Sequence, residues 1–160
     1  MKFYGVGVKL DGFGNNPRDI LLDCLEYGFW CMGHDNHEKY EELISTAKNG
    51  DVVVAKAFYF GNPRDFCIRA IGFIMDTSIP ENVPEDYKGK QGFTVEWTTV
   101  FPENLHLLSS DKFMPDGFMK GMSKDNSRAG TIYQETDGDM ILKIVEVMNG
   151  PKYSHTTFNI

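Results

Sequence analysis

Two runs of the chain, residues 52–60 (VVVAKAFYF) and 66–75 (FCIRAIGFIM), are almost continuously apolar and rich in β-branched and aromatic residues. Between them lie five residues of turn chemistry, Gly61-Asn62-Pro63-Arg64-Asp65, which is the spacing of a hairpin with a longer loop. Strands without polar alternation are covered on both faces, so this hairpin is expected at the centre of the sheet. Lys56 and Arg69 are the charges inside the runs. Each must snorkel out or meet an anion.

The flanking segments carry other periods. Residues 3–10 read as a first strand, thinned on one face by Gly5 and Gly7. A glycine-rich loop follows, and then a helix over 17–27. Asn16 is its expected N-cap, Pro17 its first position and Asp19 an acid in its first turn. Ile20, Leu21, Cys24 and Leu25 form its buried stripe, and Gly28 stops it. Residues 29–33 make a brief buried strand. A second helix over 37–48, capped by Asp35 or Asn36, sets Tyr40, Leu43, Ile44 and Ala47 on one face, with Lys48 favouring its end. Residues 76–91 carry Pro80, Pro84 and several acids and read as an exposed loop. Residues 93–101 alternate, with Phe93, Val95, Trp97, Thr99 and Phe101 on one side, and Pro102 closes them. Residues 104–127 show no clear period. A strand over 131–133 and a helix over 140–148, capped by Asp137, end the pattern. The fold class is α+β: a mixed β-barrel or strongly curved sheet with flanking helices, in a single domain over 1–150 with a tail over 151–160.

Composition narrows the function classes. A chain of 160 residues with 41% hydrophobic content is long enough for a real core. Its longest apolar run falls short of a membrane span, and it opens directly into a strand pattern without a signal peptide. Cys24, Cys31 and Cys67 form no C-x-x-C pair, so reduced thiols and a cytoplasmic location are expected. A net charge of −7 argues against broad, sequence-blind binding of nucleic acid, which depends on phosphate neutralisation. It leaves room for a pocket that reads one base.

Candidate chemistry is sparse. Cys31, His34 and His37 stand as C-x-x-H-x-x-H, but this fits no common zinc spacing and no second pair lies elsewhere, so no metal is expected. Gly12-Phe13-Gly14-Asn15-Asn16-Pro17 lies between a strand and a helix, where backbone amides bind anions. It lacks a third glycine in register and a Lys-Ser/Thr pair, so neither the dinucleotide nor the P-loop pattern is met, and a plain turn is the simpler reading. The nearest nucleophile–base pair is Cys31 with His34. No G-x-S-x-G or H-E-x-x-H occurs, so no catalytic residue and no cofactor are assigned. The aromatics Trp30, Tyr59, Phe60 and Trp97 would ordinarily be core. Even so, Trp97-Thr98-Thr99 brings a stacking surface beside two hydroxyls, the two things a base pocket needs.

Three stretches carry a family resemblance: LEYGFWCMGHD at 25–35, NGDVVVAK at 49–56 and IRAIGFI at 68–74. Their order and spacing, with a later VEW, resemble the EVE-like branch of the PUA-like superfamily. That branch includes the specificity domains of modification-dependent, defence-related restriction enzymes of the Mcr type. The match covers roughly residues 3–101, with a continuation to Met148. The resemblance implies a PUA-like barrel with flanking helices that takes a modified DNA or RNA base, or a nucleotide, into an aromatic-walled pocket. Carried over by position, that pocket draws on Gly12, Phe13, Gly14, Asn15, Asn16, Trp30, Gly33, His34, Asp35, Trp97, Thr98 and Thr99. The acidic balance departs from the pattern and keeps two alternatives open. One is a protein-interaction or inhibitor protein on the same fold, with a protein partner. The other is a small ASCH-type hydrolase that recruits Lys56 or Glu96.

Overall fold

The computed structural model describes residues 1–10, 18–33, 37–59, 65–100 and 130–149. In chain order these form β1 (Phe3–Gly7), β2 (Lys9–Leu10), β3 (Arg18–Asp19), α1 (Leu21–Tyr27), β4 (Phe29–Cys31), α2 (Glu38–Thr46), β5 (Val52–Tyr59), β6 (Asp65–Asp76), a 3-10 turn (Glu85–Tyr87), β7 (Gly92–Val100), β8 (Ile132–Glu135) and α3 (Gly138–Asn149). Six strands make one sheet in the order β4-β7-β6-β5-β1-β8, while β2 and β3 form a separate ribbon. β1 pairs parallel to β5, and the other neighbours are antiparallel. The hairpin of β5 and β6 lies in the middle, as the two apolar runs predict. No described helix is long and apolar enough to cross a membrane.

The sheet curls into a half-barrel. β4 and β1 have β7, β6 and β5 between them, yet Trp30 on β4 donates its indole N–H to the Gly7 carbonyl on β1 at 2.8 Å. The Tyr4 and Phe93 rings, also on distant strands, lie 6.2 Å apart. The interior holds Tyr4, Val6, Val53, Ala55, Ala70, Phe93 and Val95, packed with Trp30, Ile20, Leu21 and Cys24. Strand alternation sends Phe3, Val52, Val54, Ile68 and Ile71 to the opposite face, and these are buried too. Both faces of the central strands are therefore covered, which explains the unbroken apolar runs.

Asp51 explains the Gly-Asp step that opens β5. Gly50 takes the left-handed φ of +85°. Asp51, only 5% exposed, then accepts from the Lys2 amide at 2.7 Å and the Lys48 amide at 2.9 Å. One carboxylate thus ties the start of β1 to the turn before β5. The same contact corrects the expected helix over 37–48: α2 stops at Thr46, Ala47 is extended, and Lys48 serves the turn instead. Ile44 and Ala47 are buried.

Four further expectations change. The strand over 3–10 breaks after Gly7, because Lys9–Leu10 leaves the sheet to pair with Arg18–Asp19. The helix expected over 17–27 starts only at Leu21. Arg18 and Asp19 are held extended in the ribbon, the Ile20 amide is on the Val8 carbonyl and the Leu21 amide is on the Asp19 carboxylate. The segment over 76–91 is not simply exposed, since Val83 and Tyr87 are buried and the Tyr87 ring lies 5.0 Å from Phe29. Finally, the alternation of β7 breaks. Gly72 opposes Trp97 and Ile71 opposes Thr99, so Thr98 is an extra residue. This bulge puts Val100, rather than Thr99, in the interior cluster with Phe93 and Val95.

Other local signals hold. Gly28 ends α1 at φ +65°. The Asp137 carboxylate takes the Met140 amide at 3.0 Å at the start of α3. Residues 104–127 and the tail over 151–160 lie outside the described residues.

Candidate functional site

At the end of the half-barrel where β1 finishes, segments far apart in sequence converge. Leu10 pairs with Arg18, so the two ends of the glycine-rich stretch are held side by side. Gly33, just past β4, packs directly on Leu10: a Cβ there would lie 2.7 Å from the leucine Cδ2. Leu10, Arg18 and Gly33 are thus held at one place. Gly12, Phe13, Gly14, Asn15, Asn16, His34 and Asp35 themselves lie outside the described residues.

Arg69 reaches this end through a second bulge. Ala55 opposes Ala70 and Lys56 opposes Ile68, leaving Arg69 as the extra residue of β6. Its side chain, 5% exposed, meets the Asp19 carboxylate at 2.7 Å, and Asp19 is 39% exposed. A guanidinium taken out of water needs a partner of this kind, since desolvation of a lone charge is costly. The pair straddles the boundary between interior and solvent, at the root of the ribbon.

The outer side of the ribbon is tied down by a second network. Arg18 meets Asp86 at 2.9 Å and Asp23 at 3.2 Å, donates to the Tyr87 hydroxyl at 2.8 Å and lies 5.1 Å over the Tyr87 ring. The Tyr87 hydroxyl donates to Asp23. Burial, followed by the hydrogen bond to Asp23, pushes the phenol well above its usual range, so it stays a donor.

A third group lies at the same end, on the outer face of the sheet that Val54 and Ile68 share. Lys56, opposite Gly7, donates to the Gly130 carbonyl at 2.8 Å, and its ammonium lies 5.8 Å from the Tyr133 ring centroid. Burial pushes its amine down to about 8. The Gly7 amide donates to Thr131 at 2.8 Å. The Thr131 amide lies 3.4 Å from the Tyr40 hydroxyl, and the Tyr40 ring stacks on His37 at 4.0 Å.

Of the expected pocket walls, Trp30 is wholly buried. Its ring lies 5.4 Å from Phe93, and its indole closes the curl on Gly7. Trp97 is half-buried, with its indole N–H on the Cys24 carbonyl at 3.0 Å. The two indoles thus bond to different carbonyls, Gly7 for Trp30 and Cys24 for Trp97. Thr98 leans on the Ile71 carbonyl at 3.4 Å, and Thr99 is buried.

Cys31 is fully buried, and burial pushes its thiol up to about 12. The Cys24 thiol is raised by the same cause. Neither is a thiolate near neutrality, so neither is poised as a nucleophile. Among the described residues no three His, Cys, Asp or Glu side chains gather as metal ligands. Glu96 is exposed and opposes Phe73, away from Lys56.

Sequence reasoning gives no site role to Asp19 or Tyr40 and weighs His37 only as a metal ligand. The signal for Asp19 was present in its partner, since Arg69 stood as a lone cation in an apolar run. Tyr40 was read only as part of a helix face. No family model matches the chain, and no curated protein matches it in sequence.

Proposed function

We propose that this chain is a binding module, on a PUA-like half-barrel of the EVE type, that accepts a modified base of DNA or RNA, or a nucleotide, at the end where β1 finishes. One observation carries the reading. Leu10 and Arg18, which flank the glycine-rich stretch, pair with each other, and Leu10 packs on Gly33, which precedes the His34–Asp35 positions; the family resemblance assigns both neighbourhoods to the pocket. The Arg69–Asp19 pair at the ribbon's root adds both donors and acceptors. Such groups orient a polar ring edge once a flat apolar contact holds it.

The test is a binding titration with short oligonucleotides carrying 5-methylcytosine, 5-hydroxymethylcytosine or plain cytosine, single- and double-stranded, at low salt. Modified strands should bind more tightly than plain ones. Gly33→Val, which displaces Leu10, should weaken binding while the melting temperature stays near that of the wild type. Wild-type protein that binds none of these strands removes the reading and favours a protein partner.

A second reading has one observation behind it. A buried amine lowered to about 8 is in the range useful for proton transfer, as an ASCH-type hydrolase using Lys56 would need. Hydrolase activity that survives Lys56→Met would dismiss it.

A further inference from the structure

We propose that the exposed face of the His37 imidazole is the stacking platform for the planar ring of the ligand. This inference rests on the base-binding reading above and adds the contact that would hold the ring. It starts from the geometry of the α2 start. His37 precedes the first turn, in extended conformation, and its carbonyl accepts from the Tyr40 and Glu41 amides at 2.9 and 3.0 Å. Its backbone is therefore fixed. Its ring lies on the Tyr40 ring at a centroid distance of 4.0 Å and an interplanar angle of 22°. His37 is nevertheless exposed. Tyr40 covers one face of the imidazole, so the exposure belongs to the other face and the edge.

Tyr40 is itself held against the barrel. Its hydroxyl lies 3.4 Å from the Thr131 amide, and a Cβ on Gly130 would come within 3.2 Å of it. Gly130 and Thr131 in turn contact Lys56 and Gly7 at the same end of the barrel. The stack thus stands on a rigid base at the end of the barrel where β1 finishes and is already aligned before any ligand arrives. A heteroaromatic ring laid on His37 would extend an existing two-ring stack without ordering a new side chain. Pre-organisation of this kind is what makes an aromatic face a binding element. Stacking tolerates many bases because each has a π-face, so His37 would supply affinity while the polar groups of the mouth supply choice. The simpler view, a local pair that finishes a helix start, accounts for the contact with Tyr40 but gives the outer face no role.

The experiment measures affinity for the single-stranded 5-methylcytosine oligonucleotide by fluorescence anisotropy, with melting temperatures in parallel. His37→Ala should weaken binding by about tenfold, the effect of losing one stacked aromatic, with an unchanged melting temperature. His37→Phe should restore most of it, because a phenyl ring stacks without the imidazole nitrogens. In the wild type, the His37 ring protons should move upfield when oligonucleotide is added, the ring-current mark of a base lying over them. Binding by His37→Ala within twofold of the wild type overturns the platform and leaves the base-binding reading standing. Failure of His37→Phe to restore affinity also overturns it, since the nitrogens and not the face would then matter. Wild-type protein that binds no strand at all overturns both.

Discussion

Lys56 gives the sharpest test of the physical reasoning. It is 5% exposed on a central strand, and its amine is held at about 8 against an ordinary 10.5, because burial disfavours the charged form. Between these two values the unfolded chain keeps a proton that the folded chain has already released. Stability rises with pH wherever the unfolded state binds more protons, so it should rise from pH 8 to pH 10.5. Below that window both states carry the proton, and above it neither does, so the slope vanishes on both sides. One pH unit of such a difference is worth about 1.4 kcal/mol, and the window therefore about 3 kcal/mol. The buried thiols act with the opposite sign. Cys31 is raised from 9.0 to about 12, so the unfolded chain releases that proton first and stability falls across that range. The comparison must for this reason be a difference between two proteins. Lys56→Met keeps the stem and cannot carry charge. Urea denaturation of both proteins, repeated at steps between about pH 7 and pH 10.5, isolates the lysine. The variant gains most, relative to wild type, below pH 8, and that gain should shrink by about 3 kcal/mol by the top of the window. The lost bond to Gly130 adds an offset that does not change with pH. A difference that stays flat across the window would refute the claim that burial holds this amine down.

Two further outcomes are expected. Asp51→Ala leaves the Lys2 and Lys48 amides without their acceptor and should cost about 2–3 kcal/mol, with Asp51→Asn recovering part of it; a loss under about 0.5 kcal/mol by urea denaturation would show that the clamp is not holding the two turns. Trp30→Ala removes a wholly buried indole that bridges the curl and should destabilise by about 3–5 kcal/mol, while Trp97→Ala, half-buried, should cost less; equal thermal melts for the two would contradict the interior described above.

Much of this fold is legible in short stretches of chain. Val52 to Met75 announce a central hairpin by their composition and the turn between them. Gly28 announces a helix end because only glycine readily takes its left-handed backbone. Asp137 announces a helix start because its carboxylate reaches an amide three residues on. Each of these rests on contacts within a few residues, which a sequence pattern records directly. Lys56 and Arg69 were legible as anomalies, single charges in buried strands, but their partners were not. Lys56 reaches a carbonyl 74 residues away, and the Asp19 that meets Arg69 lies in a stretch whose pattern reads as a helix.

Tertiary structure alone decided the rest. An alternating strand predicts its own two faces only while its pairing is regular. The bulge at Thr98 arises from how β7 meets β6, and it moves Val100 inward and takes Thr99 out of the interior set. Residues 18–20 have a fair helix start in their sequence, but pairing with Lys9–Leu10 holds Arg18 and Asp19 extended and the Val8 carbonyl takes the Ile20 amide. Trp30, a candidate pocket wall by position, became interior because the curl carries β4 across to β1. In each case the outcome depends on hydrogen bonds and packing between segments that the chain's own order keeps apart. Local propensity differs by less than such contacts contribute, so the distant partner prevails.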